Sequence, residues 1–324
     1  MSSITIPNRT EHPANLRPLS IFRDLPSVAD LIEICFSSTM DNDGRRYVQD
    51  MRRAGSDNSF IQWANRAAES TSLPLTGFVW EENNKIIGNV SLVPFHHNKQ
   101  RIYLIANVAV HPDHRRKGIA RILTEYAANQ AREKKADSIW LHVRDDNPGA
   151  IDLYTKLGFV ERARRTTWQA STDAHATSLN ADINITNRQP NDWNLQLTWL
   201  KRLYPDALAW HRNWNFKPLK PGFWNWLYSF LMDTNARQWA AQKDSALQAV
   251  ASWIPYGRGE FLFVATAENS DPQALTALLF KARRDLFYSH PNLILEFPTG
   301  EFDKAIEAGG FHPLRTLIWM QATS

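Results

Sequence analysis

The chain has 324 residues, of which 43% are hydrophobic and 22% charged, and its formal net charge is +4. This is the composition of a globular protein, and the length suits two domains of about 150 residues. The small, dispersed positive charge argues against a nucleic-acid partner. No stretch reaches the roughly 20 apolar residues that span a bilayer, and the N-terminus lacks a signal-peptide pattern. We therefore expect a cytoplasmic protein with no membrane partner.

We expect neither the single cysteine nor the adjacent histidines to bind a metal or take part in redox chemistry. Cys35 is the only cysteine, so no intramolecular disulfide or cysteine metal cluster can form. Because it lies in the apolar run LIEICF, we expect a small buried residue rather than a nucleophile. His96 and His97 are adjacent in a strand-like segment, where neighbouring side chains face opposite ways and chelate poorly. The sequence therefore predicts no metal cofactor.

The first 170 residues alternate helix-like and strand-like segments. Apolar residues at helical spacing predict a helix over 24–36, and polar residues 81–84 predict the turn of a hairpin. In chain order, the predicted elements are a helix at 24–36, strands at 76–80, 85–93 and 101–110, a helix at 118–135, a strand at 138–143, a helix at 150–157 and a strand at 164–170. Gly158 is the predicted stop of the last helix.

The second half repeats this order of elements. It has predicted strands at 246–254, 260–266 and 292–297 and predicted helices at 272–286 and 302–308. Gly158-Phe159 and Gly310-Phe311 are each followed by Arg-Thr, Trp and Gln-Ala, and the two pairs lie 152 residues apart. Such a repeat indicates a duplication. We predict domains at 1–170 and 192–324, joined by a polar linker region at 171–191 that also holds the first strand of the second copy.

A tryptophan-rich segment follows the linker region. Its six tryptophans are Trp193, Trp199, Trp210, Trp214, Trp224 and Trp226. Because aromatic side chains bury large areas, the favoured interpretation is core packing, and the alternative is an aromatic substrate pocket.

The motif that carries chemistry is VAVHPDHRRKGIAR, from Val108 to Arg121. A buried strand ends at Val110, and a helix begins near Gly118. Amides at a helix N-terminus have no internal partners, and the helix dipole favours negative charge there. Gly118 lets the backbone approach an anion closely, and Ala120 keeps that wall small. With positive charge from Arg115, Arg116 and Lys117, the motif predicts a phosphate site built mainly from main-chain donors.

This motif resembles the acetyl-CoA signature of the GNAT (Gcn5-related N-acetyltransferase) superfamily, Arg/Gln-x-x-Gly-x-Gly/Ala, here Arg115-x-x-Gly118-x-Ala120. A second segment resembles the signature Asn-x-x-Ala-x-x-x-Tyr-x-x-x-Gly-Phe, with Asn147, Ala150, Tyr154, Gly158 and Phe159 in place. The resemblance covers about residues 15–170 by motifs and 180–324 by element order alone. It implies an α+β fold (mixed α/β): tandem GNAT folds, each a mixed central sheet flanked by helices, with a degenerate second copy.

The resemblance also implies a co-substrate, acetyl-CoA, and a role for each matching residue. The main chain of Val108 and Val110 would bind the pantetheine arm, and Asn147 would contact the same arm. Tyr154 would donate a proton to the departing thiolate. The pyrophosphate would be held by the amides of Arg116, Lys117, Gly118, Ile119, Ala120 and Arg121. The implied reaction is direct attack of a primary amine on acetyl-CoA in a ternary complex. The acceptor would be a small molecule, a peptide or a protein N-terminus. The enzyme would be a monomer or a homodimer.

The general base is where the sequence departs from the family. GNAT enzymes often place a glutamate or histidine on the strand before the pyrophosphate loop, but Leu104 and Ala106 stand there. Substitutes that can be named are Glu81, His96, His97, Tyr103, Asn107 and His142, or an acid from the second half. A base acting through ordered water and simple capture of the neutral amine are further alternatives. The missing base leaves a non-catalytic acyl-CoA sensor as an alternative, and an enzyme with a longer acyl donor as another.

At the matching place in the second half, the sequence is ATAENSDPQALTALLF. It has no glycine turn and no arginine, and Glu268 and Asp271 would repel a pyrophosphate, although an aspartate at a helix start is also an ordinary cap. We expect the second copy to bind no CoA. It would supply a wall of the acceptor site or a pseudo-dimer interface.

Overall fold

The computed structural model describes residues 13–56, 76–171, 182–211, 214–222, 236–254 and 261–323. They form two compact units. The first contains the described residues up to His142, residues 148–160 and those from Met320 onward, and the second contains residues 143–147 and 161–319. Among the described residues, no helix combines the length and apolar character needed to cross a membrane.

The first unit is built on a five-stranded sheet with the order β1–β2–β3–β4–β5. Strands β1 to β4 are antiparallel neighbours, and β5 runs parallel to β4. The elements are β1 Leu16–Pro18, α1 Ile21–Phe36, α2 Asn42–Ser56, β2 Gly77–Glu82, β3 Lys85–His97, β4 Gln100–Val110, α3 Ile119–Glu133, β5 Ser138–Arg144 (its last two residues in the second unit) and α4 Pro148–Lys156.

Two tight hairpins fix the register of this sheet. Asn83 and Asn84 join β2 to β3 with φ of 50° and 60°, and Asn98 and Lys99 join β3 to β4 with φ of 48° and 65°. Positive φ at both central residues is the feature of a two-residue turn whose twist matches that of the strands. The strands consequently run up to the turns, and β2 and β3 are longer than the sequence predicts.

Helices cover both faces of the sheet. Buried apolar residues of α1 and α2 form one cluster with Val79 and Ala109 of the sheet. On the other face lies α3, where a Cβ at Gly88 would come within 3.1 Å of the side chains of Ile119 and Leu123. Only glycine lets α3 pack this closely. Helix α2 was not predicted, because its sequence is dominated by charged residues.

The second unit contains two sheets, β12–β6–β11 and β10–β9–β8–β7. Its core is one large cluster that includes the inner face of α6. The elements are β6 Phe159–Ala170 (from residue 161 on), β7 Ile183–Asn187, α5 Trp193–Leu203, β8 Arg237–Lys243, β9 Ala246–Trp253, β10 Leu262–Thr266, α6 Pro272–Leu286, β11 Ile294–Pro298, α7 Asp303–Ala308 and β12 Phe311–Ala322 (to residue 319).

The boundary between the two units along the chain differs from the one predicted at residue 170. Strand β6 pairs antiparallel with β11, so residues 161–170 belong to the second unit, whereas residues from Met320 on belong to the first. Thr166 and Thr316, which hold the same place in the repeated Arg-Thr pattern, have hydroxyls 2.9 Å apart. Two equivalent positions of the predicted repeat are thus in contact, and the duplication itself stays a prediction.

The tryptophan-rich segment contributes mainly to the core of the second unit. Trp199 and Trp210 are buried, and Trp193 and Trp214 are partly buried against the core. This is the packing interpretation of the sequence. The strand expected in the linker region is β7, whereas Trp224 and Trp226 lie outside the described residues.

Candidate functional site

The turn between β4 and α3 has a distinctive backbone. After β4 ends, a single 3₁₀ turn spans Pro112–His114. Arg116 and Gly118 are left-handed, with φ of 64° and 80°, and α3 begins at Ile119. Left-handed residues within a short turn let successive amides converge on one concavity, which is a geometry that binds anions.

The amides of this turn are available as donors. In the described chain, the first α3 amide with a main-chain partner is that of Ile122, which donates to Gly118 O at 3.1 Å, and none of the amides of residues 116–121 donates to another group. Gly118 is the N-cap and supplies no side-chain cap. A Cβ at Gly118 would meet no atom within 4 Å. Six amides without a partner among the described residues thus lie at the positive end of a helix dipole, and the space beside Gly118 is open.

The basic side chains of the turn differ in their contacts. Arg115 Nε donates to Val110 O at 3.2 Å, and Arg121 pairs with Glu125 at 3.0 Å. Arg116 and Lys117 are exposed, and no ion pair among the described residues involves them. Arg115 is also exposed and keeps its charge and its other N–H donors, so the main chain and the three cations at 115–117 could all meet a polyanion.

Next to this turn, β4 and β5 separate. Their parallel register runs from Ile102↔Ser138 to Ile105↔Leu141 and stops there, although β4 continues to Val110. The β3–β4 register jumps from Ser91↔Ala106 to Asn89↔Ala109, so Asn107 and Val108 form a bulge with no partner in the described register. Residues 106–108 are partly exposed in the middle of a sheet whose neighbouring positions are buried. The strands thus leave a slot between them.

Val108 and Val110 differ in what their main chain can offer. Val108 lies in the bulge and lines the slot. Val110 O already accepts from Arg115 Nε at 3.2 Å and from Cys35 Sγ at 3.3 Å. Because a carbonyl has two lone pairs, Val110 O has no remaining capacity, and only its amide could serve a ligand.

Cys35 has the packing role that its sequence context predicts. It is partly buried against the α1 and α2 cluster. Burial raises the pKa of the Cys35 thiol, an effect that Arg115 opposes. The neutral thiol donates to a carbonyl and is a poor nucleophile.

Tyr154 and Asn147 lie on either side of the start of α4. Tyr154 is buried in the first unit, and its ring meets that of Phe159 edge-on with centroids 6.2 Å apart. Burial raises the pKa of Tyr154, so the hydroxyl keeps its proton at neutral pH. Asn147 is grouped with the second unit, and its amide donates to Arg144 O at 3.2 Å. Their assignment to the acetyl-CoA arm stays a prediction.

The structure separates the candidate bases by position. Glu81 Oε2 is engaged by both Arg17 and Arg23 at 2.5 Å. His96 and His97 pair with the start of β4 at the far end of the hairpin. Tyr103 lies where β4 and β5 are still joined, opposite Ile139. None of these four positions is at the slot.

The two remaining candidates are at the slot. Asn107 is in the bulge, but an amide cannot accept a proton at neutral pH. His142 is the first β5 residue beyond the last joined pair, and it is partly exposed between buried Leu141 and Val143. Histidine titrates near neutral pH and commonly acts as a general base. Position therefore favours His142.

In the second unit, the corresponding place is closed. A parallel bridge joins Phe261 to Ile294, and β10 continues beyond it as β4 continues beyond Ile105. Three residues after the bridge, the amide of Val264 donates to Tyr204 Oη at 3.2 Å. Val264 thus holds the place of Val108, and the buried Tyr204 ring packs against Phe263 with centroids 5.6 Å apart.

The start of α6 is also self-satisfied. Asp271 is its N-cap and accepts from the Gln273 amide at 2.8 Å. The same carboxylate pairs with Lys243 at 2.6 Å, which lowers the pKa of Asp271. Glu268 lies 3.6 Å from Arg202. These acids act as a cap and an ion pair, in contrast to the uncapped start of α3.

Two features of the site were missed in the sequence. The polar residues Asn89 and Ser91, which alternate within an otherwise apolar predicted strand, were a signal that one buried face carries a hydrogen-bonded cluster. Tyr204 gave no signal, because its partner Val264 is 60 residues away in the chain.

Part of the chain is similar in sequence to known acetyltransferases. Residues 33–159 match the Acetyltransferase (GNAT) family. The chain is 36% identical over 73 residues to the ribosomal protein bS18-alanine N-acetyltransferase of Escherichia coli K12, a match that covers 22% of this chain and 49% of that enzyme. It is 46% identical over 56 residues to the streptothricin acetyltransferase of Streptomyces lavendulae, covering 17% of this chain and 30% of that one. The chain thus spans at most about half the length of these curated relatives.

A solved structure shares the fold over nearly the whole chain. The GCN5-related N-acetyltransferase from Sphaerobacter thermophilus superposes with a TM-score of 0.55 at 13% identity, covering 95% of this chain and 96% of that chain. At this identity the similarity concerns the fold alone. The mixed sheets flanked by helices are the predicted α+β architecture, and residues 33–159 are similar to the acetyltransferase (GNAT) family.

Proposed function

We propose that the chain is a cytoplasmic N-acetyltransferase that moves an acetyl group from acetyl-CoA to a primary amine by direct attack, with both substrates bound at once. The observation that carries this proposal is the slot between β4 and β5, which leads along β4 to the unpaired amides of residues 116–121. A slot for an extended arm followed by an anion cradle suits a molecule that joins a thioester arm to a diphosphate.

The cradle would hold the pyrophosphate through the main chain. Amides at the start of α3 donate to phosphate oxygens, the helix dipole favours their charge, and the exposed Arg116 and Lys117 add Coulomb attraction. The side chain of Ile119 is buried against Gly88, so that residue can take part only through its amide. Arg121 likewise contributes its amide, because its guanidinium is paired with Glu125.

His142 would act as the general base at the slot. When bound, acetyl-CoA supplies an activated carbonyl, and the acceptor must lose a proton to attack it. At pH 7 this deprotonation costs about 1 kcal/mol for an α-amino group and roughly 4–5 kcal/mol for a lysine-like amine. An imidazole is better matched to the first of these, so we propose acceptors with amines of low pKa, such as peptide N-termini.

Tyr154 would donate a hydrogen bond to the departing sulfur. Its hydroxyl is protonated at neutral pH because burial raises its pKa. A raised pKa also makes the phenol a weaker acid, so stabilisation by hydrogen bonding is the main contribution that we assign to it.

The second unit would bind no acetyl-CoA. Tyr204 occupies the main-chain donor that a pantetheine arm would need, and Asp271 occupies the helix start that a pyrophosphate would need. We therefore expect one acetyl-CoA per chain. Isothermal titration calorimetry would give this stoichiometry directly, and a value of two would contradict the proposal for the second unit.

Turnover against an amine panel tests the proposed activity. The panel contains an alanine-starting peptide, a lysine side-chain analogue, small diamines and a streptothricin-type antibiotic, and the release of the CoA thiol is measured with acetyl-CoA as donor. Repeating the assay with propionyl- and succinyl-CoA determines the preferred donor. The α-amino acceptor is expected to give the highest kcat/KM.

A matched histidine pair distinguishes the base from a general effect. His142→Gln is expected to lower kcat by about 100-fold or more with acetyl-CoA affinity unchanged, since positioned general bases contribute on that scale. His312→Gln, an exposed histidine of the second unit, is the control. Equal rates in both variants would remove His142 from the mechanism, and tight acetyl-CoA binding without turnover of any amine would favour the acyl-CoA sensor.

A further inference from the structure

Four polar side chains form a hydrogen-bonded cluster on one face of the first unit's sheet. They are Tyr47 of α2, Asn89 and Ser91 of β3, and Asn107 of β4. Asn107 Nδ2 donates to Tyr47 Oη at 2.6 Å and to Ser91 Oγ at 3.2 Å, and Asn89 Nδ2 donates to Asn107 O at 3.0 Å. Asn89 and Ser91 are fully buried. Hereafter these residues are called the bulge cluster.

The bulge cluster lies on the face that α1 and α2 cover. Asn89 stands opposite Val79 on one side and Ala109 on the other, and both of these residues pack in the apolar cluster with α1 and α2. Because cross-strand partners share a face, Asn89 points the same way. The opposite face is covered by α3, whose start carries the anion cradle. The bulge cluster is thus separated by the sheet from the helix that would hold the pyrophosphate.

The bulge cluster holds both the main-chain carbonyl and the side chain of Asn107, a residue in a rare backbone conformation. Asn107 has φ of 51° and no partner in the described strand register. Its carbonyl is held by Asn89, and its side chain is held by Tyr47 and Ser91. Most buried polar groups in proteins are hydrogen-bonded, and here three such bonds converge on Asn107, while Asn89 Oδ1 has no partner among the described residues. Val108 follows immediately and lines the slot.

Resting on the proposed function, we propose that Tyr47 and Asn89 are positioning residues that hold the Asn107 bulge, so that the Val108 main chain is presented to the pantetheine arm and acyl group in the slot. They act through Asn107 and not on the pyrophosphate. Burial raises the pKa of Tyr47, so its hydroxyl is neutral at all pH values at which the enzyme would work. The hydrogen bond between Asn107 and Tyr47 is therefore independent of pH in that range.

Binding measurements with two probes test this role without requiring turnover. Acetyl-CoA occupies cradle and slot, whereas 3′,5′-ADP lacks the arm and tests the nucleotide end alone. Tyr47→Phe is expected to weaken acetyl-CoA binding about three- to tenfold, the effect of one net hydrogen bond, with 3′,5′-ADP affinity unchanged. Tyr126→Phe, on α3 at the other face of the sheet, is the matched control and is expected to change neither affinity.

Two substitutions at Asn107 separate the backbone conformation from the side chain. Asn107→Gly removes the two side-chain hydrogen bonds but accepts positive φ, whereas Asn107→Ala removes the same bonds and disfavours that φ. The expected order of acetyl-CoA affinity is wild type, then Asn107→Gly, then Asn107→Ala, and kcat with the best amine is expected to follow the same order. Circular dichroism and thermal melts establish that each variant is folded.

The possible outcomes are distinct for the two proposals. If no amine is turned over but the affinities follow the expected order, the enzyme assignment fails and the positioning role stands. If Tyr47→Phe and Asn107→Ala bind acetyl-CoA as the wild type does, or if 3′,5′-ADP affinity falls in parallel, the positioning role is overturned, whatever the activity.

Discussion

Replacing Gly118 with alanine tests the proposed anion cradle, because its effect on acetyl-CoA affinity can be measured separately from its effect on the stability of the fold. Gly118 has φ of 80°, and a Cβ added there would meet no atom within 4 Å. The substitution therefore causes no steric clash within the protein. Its stability cost is that of a left-handed backbone at a non-glycine residue, about 1–2 kcal/mol. For a unit of this size, that cost lowers Tm by a few degrees.

The effect on acetyl-CoA binding should be larger than the effect on stability. Phosphate oxygens must come within about 3 Å of the amides to accept their hydrogen bonds, and the added methyl group would occupy the open space beside Gly118. We expect Kd for acetyl-CoA to rise at least tenfold, which corresponds to about 1.4 kcal/mol or more. Titration calorimetry measures Kd, and thermal melts without ligand measure the stability cost.

Gly300 offers a matched control in the second unit. It has φ of 86°, and a Cβ there would also meet nothing within 4 Å. Gly300→Ala should therefore show the same fall in Tm with no change in acetyl-CoA affinity. If Gly118→Ala and Gly300→Ala both bind acetyl-CoA as tightly as the wild type, the turn before α3 does not hold the pyrophosphate.

Three further predictions concern the first unit. Tyr154→Phe should lower kcat with acetyl-CoA affinity unchanged, and a normal rate in this variant would exclude the donor role. Because burial raises the pKa of Tyr154, the wild-type rate should show no fall below about pH 10 from loss of the Tyr154 proton. Burial raises the pKa of Asp24, but Arg17 and the Ser20 amide outweigh it and the net pKa is lowered. Its stabilising contribution is therefore present above about pH 4 and lost as the pH falls through the lowered value, so Asp24→Asn should lower Tm at pH 7 and have progressively less effect at more acidic pH; an equal effect at all pH values would contradict the ion pair. Thr323 donates its amide and its hydroxyl to Gly158 O, both at 2.9 Å, just after the helix that carries Tyr154; Thr323→Val should lower kcat a few-fold and Thr323→Ser should not, and identical rates would show that this contact does not position Tyr154.

Several elements were predictable because their determinants are local. The α3 helix and the β2–β3 hairpin follow from apolar spacing and turn residues within a few positions of each other. The backbone of the proposed cradle was predictable for the same reason, since a strand, a glycine turn and a helix start are contiguous from Val108 to Arg121. The helix at Asn42–Ser56 was missed because its few apolar residues are stabilised by packing against α1, which no local pattern reveals.

What the amino-acid sequence determined by itself was the strand, turn and helix start of the proposed anion cradle and the type and order of most elements, because those depend on interactions between near neighbours. The tertiary structure alone decided where β4 and β5 separate, which places His142 and Asn107 at the slot and the other four candidate bases away from it. It also decided that Tyr204 closes the second slot and that residues 161–170 join the second unit. Each of these depends on strand register or on contacts between segments distant in the chain, and register is set only when whole faces pack together.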